Sequence, residues 1–367
     1  TFDVSITATD ADGQQGTRVV SVTVGERADP ATDPGVIATQ SSQQAAMRRM
    51  AGAQVDNVMA RLDAVRDCLS DGRRLQLSVP SGPGDRQADV LGQLPAASSG
   101  AQDDAREESP RCQPRATWVG GAIAYGPRDG DSYRFTSPGL SAGIDWRLGA
   151  HAVGGLAAGL GEDRVTLAAA QGHQQGRQAS LSSYGSWKLA AALHLDGVAG
   201  WGQTRFDSHR SPMGERFSLH GERRGTQVFG ALRLSGNAHW GALRLLPYVG
   251  VQAAQVTLDR YVETGDELTA LAYERSRFDT RAWRGGLTLS QRLAWAGLQL
   301  EPMLRLEHTR NIARTVEQGL AYADDPATRY SLLTQPFDRQ ASSATLGLGY
   351  DLSRGRALSL EAGWQWS

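Results

Sequence analysis

Cysteine is nearly missing: two in 367 residues, too few for a disulfide-rich scaffold. Net charge is missing too. The 38 basic and 39 acidic side chains leave a formal charge of -1, without the electrostatic footprint of a nucleic-acid binder. Lysine is reduced to Lys188, and arginine supplies the other positive charges, a compositional bias that carries no mechanism. No stretch approaches ~20 uninterrupted apolar residues, which excludes a transmembrane helix but not a transmembrane β-barrel, whose strands alternate lipid-facing and lumen-facing residues. The seven histidines, His151, His173, His194, His209, His220, His239 and His308, are scattered, and none has a His-Glu-x-x-His partner. There is no Gly-x-Ser-x-Gly nucleophile elbow and no phosphate-binding glycine loop. No metal, cofactor or catalytic residue is therefore expected, and an enzyme reading has least support. The opening Thr1-Phe2-Asp3-Val4 has neither a basic start nor an apolar core of a signal peptide, so the chain reads as a piece of something longer.

What is present falls into stretches. In 1–25, Phe2, Val4, Ile6 and Ala8 alternate with polar residues, Asp10-Ala11-Asp12-Gly13 supplies a turn, and Val19 to Val24 is β-branched. This resembles the last two strands of an immunoglobulin-like or cadherin-like module; an unstructured passenger remnant is the alternative. Residues 26–40 form a linker bracketed by Pro30 and Pro34, through which neither helix nor sheet should run. In 41–69, Met47, Met50, Val55, Val58, Leu62 and Val65 recur at helical spacing as a thin apolar stripe. Arg48, Arg49, Arg61, Arg66 and several glutamines cover the rest. Such a helix suits water, a coiled coil or a hydrated channel. Residues 70–115, rich in Gly, Pro, Ser and Asp, read as a flexible insertion with Cys68 and Cys112 at its ends.

From 116 to 367 the period is two. Leu140, Ala142, Ile144, Trp146 and Leu148 alternate with Ser141, Gly143, Asp145 and Arg147. Leu298, Leu300, Leu304 and Leu306 alternate with Gln299, Glu301, Arg305 and Glu307, and the pattern runs to Trp364 and Trp366. The runs reach ~9–11 residues, the length a tilted strand needs to cross a bilayer. Charges on the second face are costly in a dry core but tolerable against a hydrated lumen. Strands are expected near 116–126, 136–148, 152–161, 178–188, 192–203, 224–235, 241–257, 280–293, 297–309, 327–335, 341–351 and 357–366. Connections alternate between short and long, as periplasmic turns and extracellular loops do. The fold class expected is an all-β transmembrane barrel of about twelve antiparallel strands, with both ends of the ladder on the periplasmic side. Its bore admits one α-helix of about 10–12 Å diameter, and the 41–69 helix is the candidate plug. Trp118, Trp146, Trp187, Trp201, Trp364 and Trp366 are expected in interfacial girdles, and Arg223, Arg224, Arg275 and Arg277 in solvated loops, able to touch lipopolysaccharide phosphates.

This layout resembles the translocator domain of autotransporters, the type V secretion proteins, over roughly residues 41–367. The resemblance is carried by Val55-Asp56-Asn57-Val58-Met59-Ala60-Arg61-Leu62-Asp63-Ala64-Val65-Arg66, by Gly139-Leu140-Ser141-Ala142-Gly143-Ile144-Asp145-Trp146, and by the aromatic-ended last strand. It implies an outer-membrane anchor that displays an N-terminal passenger at the cell surface. The implied partners are outer-membrane lipid and lipopolysaccharide, the barrel-assembly machinery, which would read Trp364 and Trp366, and the chain's own passenger. The implied state is a monomer, with no nucleic acid. Arg48, Arg49, Arg61 and Arg66 would meet lumen acids such as Asp145, Glu301, Glu307, Asp351 and Glu361.

The chain departs from the family at Ser367, which follows the final aromatic, and in its insertion at 70–115. Some family members cut off their passenger by attack of an asparagine side-chain amide on its own backbone carbonyl, and their Asn-Asn pair aligns with Asp56-Asn57. A carboxylate is not that nucleophile, so a cleavage position at Asp56 and Asn57 stands against the plainer reading that both hydrogen-bond in the lumen. A passive porin with the helix outside, and a soluble multi-sheet adhesin, are the rival functions.

Cys68 and Cys112 can pair in an oxidising periplasm, closing a loop worth about 4 kcal/mol on the chain-entropy model; free thiols or intermolecular pairing are the alternatives. A thiol reagent applied without reductant is expected to leave both cysteines unmodified, and labelling of either refutes the pairing.

Overall fold

A computed structural model describes the chain except residues 1, 23–26, 67–70, 81–112, 128–132, 168–171, 212–217, 296–297, 313–314, 336–337, 353–355 and 367. It divides into two units, Thr1–Pro30 and Ala31–Ser367. The first is a hairpin of β1 (Phe2–Thr9) and β2 (Gln15–Val22), antiparallel with Val4 opposite Val20. Asp10 Oδ1 accepts from the backbone N–H groups of Asp12 and Gln14, and Gly13 takes the left-handed conformation the turn requires, at φ 80°. The two strands expected here are present, and the described residues include nothing more of an immunoglobulin-like module.

The second unit opens with a 3-10 turn, Pro30–Thr32, and one long helix, α1 (Pro34–Val65). The helix starts inside the stretch expected to be a linker. Pro34 is its first residue, where a missing N–H costs nothing, and Asp33 caps it by accepting from Gly35 N at 2.7 Å. Proline here marks a helix start, not a break.

Eighteen strands follow. They are β3 (Asp71–Pro80), β4 (Arg115–Pro127), β5 (Tyr133–Arg147), β6 (Ala152–Leu167), β7 (Gly172–Ala190), β8 (Leu193–Arg210) and β9 (Leu219–Gly236). Next come β10 (Ala238–Trp240), β11 (Leu243–Leu258), β12 (Tyr261–Val262), β13 (Leu271–Tyr273), β14 (Ser276–Gln291), β15 (Leu293–Trp295) and β16 (Leu298–Asn311). The last are β17 (Val316–Tyr322), β18 (Asp325–Thr334), β19 (Gln340–Leu352) and β20 (Arg356–Trp366).

Strands β4 to β9, β11, β14, β16, β19 and β20 pair in that order, each antiparallel to the next. Strand β3 lies between β20 and β4, parallel to both, and closes the ring at twelve staves. A closed ring leaves no backbone edge unpaired in lipid.

Two expectations are corrected. The segment 71–80, read as part of a flexible insertion, is a stave of the ring. The strand expected at 327–335 is not one: as β18 it pairs with β17 in a separate sheet ordered β12-β13-β17-β18. A period of two reports a strand but not which sheet it joins. The meander from β4 to β20 therefore holds eleven antiparallel strands. An odd count places Trp366 at the end opposite Arg115, on the long-connection side, and not beside it as expected.

Along the antiparallel staves β4 to β19 one face is apolar and turned outward. Leu160 and Leu181 are 62% and 63% exposed, in a belt with Leu140, Leu156, Val228, Leu232, Leu346 and Leu360. In water such a belt would be an unusually large apolar patch; facing acyl chains it carries no penalty. Trp187, Trp201, Trp240, Trp283, Trp295, Trp364 and Trp366 project outward around it. Trp118, expected in the girdle, instead points inward and is buried. Replacing Leu181 by arginine is expected to cost about 2–4 kcal/mol if it lies near the bilayer midplane, read from denaturant unfolding in lipid; no loss of stability would contradict the outward, lipid-facing assignment.

Candidate functional site

The inward face of the ring is polar, and α1 lies against it. Twenty-two helix residues are buried, among them Thr39, Gln40, Ser42, Gln43, Gln44, Gln54, Asn57 and Arg61. A helix with so thin an apolar stripe is stable in a protein interior only if the wall answers its polar groups. The wall does so along most of its length.

Nearest the helix N-terminus, Gln44 Oε1 accepts from Thr334 Oγ1 at 2.7 Å. Arg48 donates to Asn311 Oδ1 at 2.5 Å. Arg49 makes a two-pronged contact with the buried Asp163, both bonds 2.8 Å, and lies 4.0 Å from the centre of the Phe135 ring. Midway, Asn57 donates to Ser141 Oγ at 2.8 Å, and Ser141 donates to Gln54 Oε1 at 2.9 Å. Asp56 faces the other side and accepts from Arg284 at 2.5 Å. Toward the C-terminus, Arg61 Nε donates to Asp145 at 2.7 Å. Arg66 reaches Asp196 at 2.9 Å and Ser235 at 2.6 Å. Arg233 from β9 bridges Asp196 and the helix residue Asp63, at 2.9 and 2.7 Å.

Asp145 is fully buried and is shared. Tyr184 donates its hydroxyl hydrogen to it, and Trp118 Nε1 donates to the Tyr184 oxygen at 2.6 Å. Glycine makes this cluster possible: a β-carbon on Gly143 would sit 2.6 Å from Trp118 Nε1, and one on Gly159 would overlap the Gln54 amide. The inward glycines are where the wall is thin enough for bulky lumen groups and the helix to seat.

Over the helix N-terminus stands the β12-β13-β17-β18 sheet. Val36 of the helix packs with Tyr261, Leu271, Tyr273, Leu320 and Leu332. Arg223 of β9 joins the three parts. It is buried, and its guanidinium donates to Gln40 at 2.8 Å, Gln43 at 3.0 Å, Gln318 at 2.8 Å and the Asp259 and Glu274 carbonyls at 2.7 and 3.1 Å. Burial, which disfavours the charged form, pulls this guanidinium down to about 10, so it stays charged at neutral pH. Arg210 fastens the same region by two bonds to Glu263, 2.7 and 2.6 Å.

The helix does not fill the bore. A cavity of about 390 Å³ runs beside it, bordered by Asp56 and Asp63 on one side and by Arg233, Arg284, Arg305 and Glu307 on the other. Apolar side chains such as Met59, Leu232 and Val251 share its lining with these charged groups.

All four expected helix arginines reach the lumen wall. Of the expected acids, Asp145 takes Arg61; Asp163 and Asp196, not anticipated, take Arg49 and Arg66. Glu307 instead accepts from Tyr248 at 2.7 Å, Glu301 from Ser290 at 2.8 Å, and Glu361 lies 3.6 Å from Arg305. Arg223, read as a solvated loop residue, is an interior one. Its neighbour Arg224 points outward; the alternation was visible, but the strand was expected to begin too late to include Arg223. Cys68 and Cys112 lie outside the described residues.

A family profile described as the autotransporter beta-domain matches residues 117–365. Among solved structures the chain is similar to the translocator domain of autotransporter NalP from Neisseria meningitidis, with a TM-score of 0.55 and 16% identity over 69% of this chain and 81% of that one. It is also similar to the beta domain of the Bordetella autotransporter BrkA, with a TM-score of 0.51 and 16% identity over 69% of this chain and 90% of that one. No curated protein matches the chain.

Removing one member of a buried ion pair strands the other. Asp145→Ala leaves Arg61 and Tyr184 without their acceptor, and a loss of about 3–5 kcal/mol in helix seating is expected. Limited proteolysis should then cut α1 while the barrel survives. Gly159→Val is expected to do the same by displacing Gln54. Full protection of α1 in both variants would show that these contacts do not hold it.

Proposed function

The chain belongs to the autotransporter beta-domain family, and from that premise we propose that it is a stoppered translocator: a barrel whose own leading helix blocks the passage once the passenger is outside. The domain is an outer-membrane translocator and anchor, with its passenger at the cell surface. The finer reading rests on one observation. Helix α1 is tied to the inner wall by charged pairs at Arg49–Asp163, Arg61–Asp145 and Arg66–Asp196. A helix merely parked beside an open porin would have no use for an interior built to receive it.

The orientation follows from the connections. The C-terminal end of α1 lies near the short turns, on the periplasmic side, so its N-terminal end faces the long-loop side. The hairpin of β1 and β2 is then the proximal edge of an immunoglobulin-like passenger module, joined to the plug by a short linker. Transport and anchoring are the domain's work, and we assign it no catalytic residue, metal or cofactor in that work.

We assign the Asp56-Asn57 pair to seating the helix and not to cleavage. The Asp56 carboxylate is engaged by Arg284 and the Asn57 amide by Ser141. Trp364 and Trp366 belong to the outer aromatic girdle, where indole rings favour the headgroup level. Contact with the barrel-assembly machinery and with lipopolysaccharide is proposed on the same footing, as is a Cys68–Cys112 bond. The working unit is taken to be a monomer, because the ring closes on itself.

Planar-bilayer recording tests the central claim. The intact chain should pass little current, through the cavity beside the helix alone, and deletion of 34–65 should raise conductance sharply. Equal conductance of the two would overturn the plug.

A further inference from the structure

Above the apolar belt, on the outer surface of the ring, the strands continue into solvent and carry a row of imidazoles. Thr166, His173, His209, His220 and Thr264 are successive cross-strand partners from β6 through β9 to the loop beyond β12. One pleat nearer the membrane, Gln175, Asp207 and Glu222 form the next row. The residues between them on β8, Ser208 and Arg210, point into the lumen. Nothing in the translocation reading uses this cluster.

Its geometry is specific. His209 Nε2 lies 3.3 Å from His220 Nδ1. Asp207 Oδ1 lies 3.2 Å from the first nitrogen and 3.4 Å from the second. Zinc bonds to nitrogen and carboxylate oxygen run about 2.0–2.2 Å, so two ligands on a tetrahedral ion stand about 3.3–3.5 Å apart. The three donors thus already mark one face of such a tetrahedron. Asp207 Oδ1 is shielded from solvent and faces both ring nitrogens. A carboxylate oxygen aimed between two imidazole nitrogens is an arrangement a cation would complete.

We propose that Asp207, His209 and His220 form a divalent transition-metal site at the extracellular rim, taking zinc as its natural ion. The fourth position is open to water or to His173, whose ring stacks on His209 with centroids 4.6 Å apart. Two imidazoles and a carboxylate suit zinc, whereas calcium and magnesium prefer all-oxygen sites. The ligands come from neighbouring strands β8 and β9, so a bound ion would clamp these two staves where they rise out of the membrane. Sequence spacing cannot reveal such a site. His209 and His220 are eleven residues apart, and the strand register alone brings them together.

Titration of the tag-free chain in detergent with zinc sulfate, followed by calorimetry, tests this. One saturable equivalent is expected. His209→Ala, His220→Ala and Asp207→Asn should each raise the dissociation constant at least about ten-fold, while His239→Ala should leave it unchanged. Cobalt(II) in place of zinc should give the strong visible bands of a four-coordinate ion, lost in the same three variants. All variants should keep the heat-sensitive gel mobility of a folded barrel; asparagine at 207, nearly the shape of aspartate, guards against a folding artefact. No saturable zinc uptake, or uptake unaffected by all three substitutions, overturns the site.

Discussion

A polar helix inside a lipid-facing cylinder is stable only if its charges are answered from the wall, and the rest of the structure follows from that requirement. Each buried arginine on α1 needs an acid or amide at one height and one angle. Asp145, Asp163 and Asp196 meet it from β5, β6 and β8. Placing a carboxylate inward fixes the parity of every other residue on its strand, and that parity turns the leucines outward to lipid. The same pairs that seat the plug therefore help to specify which face of each stave is greasy. They cost desolvation, and for that reason they are poor stabilisers but sharp selectors of register.

Shape complements charge. Small inward residues thin the wall where the helix approaches, and the Trp118–Tyr184–Asp145 chain stiffens the wall beneath. The helix leans on the β4–β9 half of the ring, which leaves the charged cavity on the opposite half. Above, Arg223 binds the helix, a barrel strand and the small outer sheet through neutral oxygens, so the cover and the plug are held by one side chain.

Much of this was legible in the sequence, because an alternation of two and a helical stripe are local signals. Eleven of the ring strands, the lumen helix and its four arginines could be placed from pattern alone. The failures have physical causes. Strand β3 sits in a polar, low-complexity stretch, and it earns its place only by pairing with strands far along the chain. Strand β18 alternates as well as any stave but pairs elsewhere. Pro34 breaks a helix only in its interior, not at its first residue. The partners Asp163 and Asp196 depend on strand tilt and helix rotation, which no single-strand pattern encodes. Arg223 was missed because the strands rise well beyond the membrane, so their extracellular ends look like charged loops.

The bore described here has a calibre, and that calibre constrains the cargo. One helix and the cavity beside it take up its width, whereas even a small folded domain is more than twice a helix in width. Whatever leaves the cell by this route must pass as a nearly extended thread and take its shape only on arrival. The conformational entropy surrendered in transit is regained, and then traded for packing, on the far side of the membrane alone.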